Sequence, residues 1–117
     1  MTGPRVTIRL DFAEGRQLGH GKIRLLELIG EHGSISSAAR AMKMSYRRAW
    51  LLTDEVNSMF SEPVVETQLG GKGGGRAGLT EFGQQVVKLY RAIENDAAGR
   101  FSGDIGAIGA KLRKAEG

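Results

Sequence analysis

The chain has 117 residues, no cysteine, a formal net charge of +4 and 40% hydrophobic residues. That length supports one hydrophobic core but not two, and the missing cysteines exclude disulfides, a thiolate nucleophile and zinc sites of the Cys type. No apolar run is long enough to cross a bilayer, and the opening MTGPRVTIRLDF lacks the basic-then-apolar run of a secretory signal, so the reading places the chain in the cytoplasm.

Residues 5–12, RVTIRLDF, alternate, with Val6, Ile8, Leu10 and Phe12 on one side, and predict a half-buried N-terminal strand. From Lys22 to His32 the apolar residues recur at helical spacing, and Gly33 is placed to close that helix in a left-handed cap. Ser34 or Ser36 can cap a second, short helix through about Lys43, with Ala38, Ala39 and Met42 inward. A third helix is expected from Ser45. At 100° per residue, Ala49, Leu52, Thr53, Val56, Met59 and Phe60 share one arc, while Arg47 and Leu51 point almost opposite. Trp50, at the border of that arc, is expected to pack in the core.

PVVETQL, residues 63–69, has strand composition, and a short partner strand is expected around Ala77 to Leu79. Between them lies the densest part of the 18 glycines, LGGKGGGRAG. Thr80 fits as N-cap of the longest helix, roughly Glu81 to Ala98, whose apolar stripe is wider than one contact needs. A dimer contact through Phe82, Val86, Leu89, Tyr90 and Ile93 is therefore expected. Together these elements predict a mainly α fold with a small β wing: a winged helix-turn-helix over residues 1–98, with an N-terminal strand and a dimerisation helix at about 80–98. Residues 99–117 read as a glycine-containing, basic tail with partial disorder.

Two short helices at close approach need small residues, and Ala38 and Ala39 supply them. Residues 34–50 carry Arg40, Lys43, Arg47 and Arg48 and no acid, a one-signed stretch suited to phosphate. Arg47 is the expected base reader, because a guanidinium in the first turn of a recognition helix can reach guanine O6 and N7 together. Arg48 is expected at a base or a phosphate, Ser45 and Tyr46 at phosphates and Leu51 at a thymine methyl; Ser36, Ser37, Arg40 and Lys43 give the first helix its phosphate contacts. In the wing, Lys72 and Arg76 flank Gly73, Gly74 and Gly75, where the backbone itself can approach a DNA strand.

Gly73, Gly75 and Gly78 also satisfy the spacing of a dinucleotide fingerprint, but no second strand with a ribose-binding acid follows, and GGKGGGR lacks the Lys-Ser/Thr pair of a P-loop. His20 and His32 form no ligand spacing with carboxylates. No nucleophile, base and oxyanion donor come together, so neither catalysis, nor a cofactor, nor a metal is expected.

The run GSISSAARAMKMSYRRAW, then VVETQLGGKGGG, then LTEFGQQVVKLY, resembles the DNA-binding domain of the ModE family of molybdate-dependent transcriptional regulators, itself similar to the LysR-type winged helix. The resemblance spans residues 20–97, and its most specific parts are Ser45-Tyr46, Ala49-Trp50 and the glycine tract running into Leu79-Thr80. It implies a dimeric regulator on a palindromic DNA site. The family continues into a paired oxyanion-binding module beyond the position of Gly117, so molybdate or tungstate is not expected to bind this chain directly. Two other readings stay open: a module that pairs with another regulator through its long helix, and a small oxyanion sensor using the wing amides.

Overall fold

A computed structural model describes residues 3–68 and 75–114. In chain order they form β1 (Leu10–Asp11), β2 (Gln17–Leu18), α1 (His20–His32), α2 (Ile35–Ala41), α3 (Tyr46–Met59), β3 (Val65–Gln68), β4 (Arg76–Leu79), α4 (Glu81–Arg100) and α5 (Ser102–Gly109). The fold is mainly α with a small β wing, a winged helix.

Ile23, Leu25, Leu26, Leu28 and Ile29 bury the inner faces of α1. Gly33 then closes the helix at φ 75°, ψ 12°, donating its N–H to the Ile29 carbonyl at 2.8 Å, a backbone state that carries no Cβ penalty in glycine. Ser34 caps α2 by accepting from the Ser37 N–H. Ala38 and Ala39 are buried where α2 meets its neighbours, and their small side chains let the backbones approach. Lys43 makes the turn into α3 at φ 56°, a left-handed conformation that costs a side-chain-bearing residue about 1 kcal/mol. Ala49, Thr53, Val56 and Met59 form the buried face of α3; the Thr53 hydroxyl is satisfied by donating to the Ala49 carbonyl at 2.8 Å.

β3 and β4 pair antiparallel, with Val65 opposite Leu79 and Gln68 opposite Arg76. The base of this hairpin is fixed on three sides. Ala77 N–H donates to the Gly33 carbonyl at 2.9 Å. Asn57, near the end of α3, accepts from the N–H groups of Val64 and Val65 at 2.7 and 3.0 Å and donates to the Val65 carbonyl at 2.9 Å. Thr80, the N-cap of α4, accepts from the Gly83 N–H and donates to the Pro63 carbonyl at 2.7 Å. α3, the wing and α4 are thus held in one frame.

The structure differs from the sequence expectation in four places. The N-terminal strand shrinks to Leu10–Asp11, paired with Gln17–Leu18; Val6, Ile8 and Leu10 are half-buried as the alternation requires, but residues 3–9 lie outside any strand. Phe12 is exposed, its ring edge-to-face with Phe60, which meets Phe82 in the same way. Trp50 is 45% exposed and not in the core: the small Ala49 occupies the inner side of α3 at that level, and the indole turns outward. Tyr90, expected at a dimer contact, is fully buried and donates its hydroxyl proton to the Ile8 carbonyl, pinning the N-terminal segment to α4. Finally, α4 runs on to Arg100 and residues 102–109 form α5 where a loose tail was expected; Gly109 of α5 lies close enough to Pro4 that a Cβ would meet its ring at 3.1 Å. No helix among the described residues is long and apolar enough to cross a membrane.

Candidate nucleic-acid interface

The site is built on the N-terminal end of α3. Ser45, extended at φ −69° and ψ 155°, caps it by accepting from the Arg48 N–H at 3.1 Å. This sets the first turn at the surface with its amide dipoles outward and no acidic residue in it. The Ser45 hydroxyl proton is not consumed by the cap. Tyr46, Arg47 and Arg48 of the first turn and Leu51 of the second are all exposed, so these four positions stand together at the surface.

Arg47 and Leu51 lie one turn apart and away from the buried Ala49–Thr53–Val56 line. Arg48 leans to the α1 side, near Lys22 and Arg9, in a groove that sequence reasoning did not assemble. Those two cations already have partners, Lys22 at Glu55 (3.2 Å) and Arg9 at Asp11 (2.8 Å). By contrast, Arg40, Lys43, Arg47, Arg48 and Arg76 form no ion pair among the described residues. Arg40 donates to the Ser37 hydroxyl at 3.1 Å, and Ser36 sits beside Ser34 at the start of α2. The wing brings Gly75 and Arg76 to the same side of the molecule, bordering one groove with Tyr46, Trp50 and Ser36. Lys72, Gly73 and Gly74 lie outside the described residues.

Of the five residues expected at a dimer contact, Tyr90 is core, Phe82 and Val86 lean on the core, and Leu89 and Ile93 stay exposed on α4. Asn57 is the positioning residue that sequence reasoning missed. Its signal was a polar side chain beside the apolar arc of α3, six residues before Pro63.

The groups whose ionisation is shifted lie away from this surface. Arg91 of α4 grips Glu27 of α1 with two hydrogen bonds, 2.9 and 2.8 Å, and Glu94 with a third at 2.6 Å. The Arg91 hydrogen bonds hold the Glu27 carboxyl below its ordinary range against the opposing effect of burial. Glu27 in turn raises Arg91. Burial, then the nearby Glu94 charge, raises the Tyr90 phenol. This cluster clamps α4 onto α1. Among the described residues no group of three His, Asp or Glu side chains is placed to hold a metal ion.

No family model matches the chain. It is 42% identical over 96 residues to the molybdenum transport protein ModE of Azotobacter vinelandii, an overlap covering 80% of this chain and 36% of that one. Over 69 residues it is 44% identical to the DNA-binding transcriptional dual regulator ModE of Escherichia coli (strain K12), covering 59% and 26%. Over 87 residues it is 39% identical to the molybdenum-pterin-binding protein MopA of Rhodobacter capsulatus, covering 74% and 33%. The chain thus spans about a third of the length of the curated relatives it matches. In the stretch it shares with them, the chain is similar to a part of these proteins, consistent with a ModE-family domain.

Proposed function

We propose that the chain is a sequence-specific DNA-binding transcriptional regulator that acts as a dimer on a palindromic site. The observation that carries this reading is the exposed, capped first turn of α3, with Arg47 and Leu51 facing outward and no acid from residue 34 to residue 50. In this reading α3 enters the major groove, Arg47 reads a guanine edge and Leu51 meets a thymine methyl. Arg48, Ser45, Tyr46, Ser36, Ser37, Arg40 and Lys43 hold phosphates, and the wing, through Lys72, the glycine backbone and Arg76, lies on the adjoining backbone. Leu89 and Ile93 supply the exposed apolar part of the dimer contact on α4. Relatives named as transcriptional regulators support the class of function; the molybdenum-pterin binding named for MopA is said of that longer protein.

The test is selection of duplexes from a randomised library, followed by anisotropy titration of selected and scrambled duplexes at several salt concentrations. Selected sequences are expected to be two-fold symmetric. Arg47→Ala should cost roughly 1–3 kcal/mol and relax one position, whereas Lys72→Ala should weaken all sequences alike and reduce the salt slope by about 1. A parent chain that binds no duplex at low salt overturns the reading. Molybdate titrated calorimetrically into the same chain should give no heat; binding would favour the oxyanion-sensor alternative.

A further inference from the structure

Between α3 and the wing runs a cavity of about 140 Å³ that base reading by Arg47 leaves unused. One wall is aromatic: Tyr46 and Trp50, one turn apart on the same flank of α3, are 55% and 45% exposed. The facing wall is polar, made by Thr67, Gln68 and Arg76 of the hairpin, with Ser36 of α2 at its edge. Among the described residues no acidic one lines it. Exposed rings on one side, with a cation, amide and hydroxyls on the other, match one ligand in particular: a strand whose sugars offer apolar faces and whose linkers are anionic.

We infer that this groove clamps one sugar-phosphate strand of the duplex, with Trp50 and Tyr46 packed on deoxyribose and Arg76 and Ser36 on the flanking phosphate. The inference rests on the DNA-binding reading and deepens it. A helix in the major groove and a hairpin over the neighbouring minor groove are separated by the strand that divides the two grooves, and that strand must pass where the cavity lies. Trp50 contributes affinity without base preference and without charge.

Trp50 is the sole tryptophan of the chain, so its emission reports on the groove directly. The full chain is titrated with a duplex that it binds by anisotropy, and tryptophan emission is followed in parallel. Emission is expected to change in step with anisotropy. Trp50→Ala should weaken every duplex about tenfold, the effect of losing roughly 60 Å² of apolar contact, and leave the salt slope unchanged. Trp50→Phe should retain most of the affinity, and Arg76→Ala should lower the slope of log K against log salt by about 0.9. Thermal melts confirm that each variant folds, and the parent's emission decides the matter without any variant. Duplex binding with unchanged emission, or an unimpaired Trp50→Ala variant, overturns the strand clamp while leaving DNA binding intact. An emission change that tracks protein concentration in the absence of DNA assigns the flank to a second copy and overturns the clamp equally. Absence of all duplex binding removes the DNA reading itself.

Discussion

Gly83 sits in the first turn of α4, where helix propensity and packing give opposite signs for one substitution. Propensity alone makes Gly83→Ala stabilising by about 1 kcal/mol. A Cβ at this position, however, would overlap the Val64 carbonyl oxygen. That oxygen accepts from the Thr80 N–H at 3.0 Å and is also in reach of the Thr80 hydroxyl at 3.2 Å. Relief requires α4 to withdraw from the base of the wing, which strains the packing by about 1–3 kcal/mol and weakens two hydrogen bonds of about 1 kcal/mol each. After the propensity gain is subtracted, a net loss of about 2 kcal/mol is expected, or roughly 10 °C in Tm for a domain of this size. Gly99→Ala, in the same helix with nothing within 4 Å of the added methyl, is the matched control and should stabilise by up to about 1 kcal/mol. Urea denaturation of both variants, read by circular dichroism, gives the two signs. If Gly83→Ala is as stabilising as Gly99→Ala, the close contact between α4 and Val64 at the base of the wing, and the frame built on it, is wrong.

Asn57→Ala removes the three hydrogen bonds that tie α3 to Val64 and Val65; a loss of about 2–3 kcal/mol is expected, with hydrogen exchange at the Val64 and Val65 amides accelerated more than in α1. Arg91→Ala leaves the buried Glu94 without its cation and Glu27 with Arg24 alone, and a destabilisation of about 3 kcal/mol should appear in the same denaturation assay. Because Glu27 is held below its ordinary value of 4.5 in the fold, its contribution is fully present above that pH and is lost as pH falls through the lower folded value; Glu27→Gln should flatten this acid limb of the stability profile. Lys43→Gly relieves a left-handed backbone at φ 56° and should raise stability by up to about 1 kcal/mol while lowering DNA affinity, so the two assays should move in opposite directions.

Helix positions were legible in the sequence because their signals are local. Ser34, Ser45 and Thr80 each cap the helix that follows, and Gly33 ends α1 as its position implied. The hairpin was legible because a strand-forming run and a short apolar partner flank the glycine tract. What depended on distant packing was not. Alternation at residues 5–12 encodes which side chains face the core, but strand pairing needs a neighbouring backbone, and only Leu10 and Asp11 find one. The apolar stripe of α4 did not reveal that Tyr90 is claimed by the Ile8 carbonyl, 82 residues away. Angular position alone put Trp50 at a border, and the side it took was decided by the space around Ala49. The Glu27–Arg91–Glu94 cluster joins helices 64 residues apart in the chain, beyond any local pattern. At the candidate interface, the one-signed stretch marked residues that the structure leaves exposed or half-exposed, while the groove shared by Trp50 and the wing required the hairpin to be folded back onto α3.

The central claim, that Arg47 at the first turn of α3 reads a guanine edge, is tested most directly by a double-mutant cycle. Each guanine of the selected duplex is replaced in turn by 7-deazaguanine, which lacks the N7 acceptor, and binding of the parent and of Arg47→Ala is measured by anisotropy at one salt concentration. At one guanine per half-site, the base change should weaken the parent by roughly 1–3 kcal/mol and leave Arg47→Ala nearly unaffected, a coupling well outside additivity. Additive losses at every guanine would contradict the account.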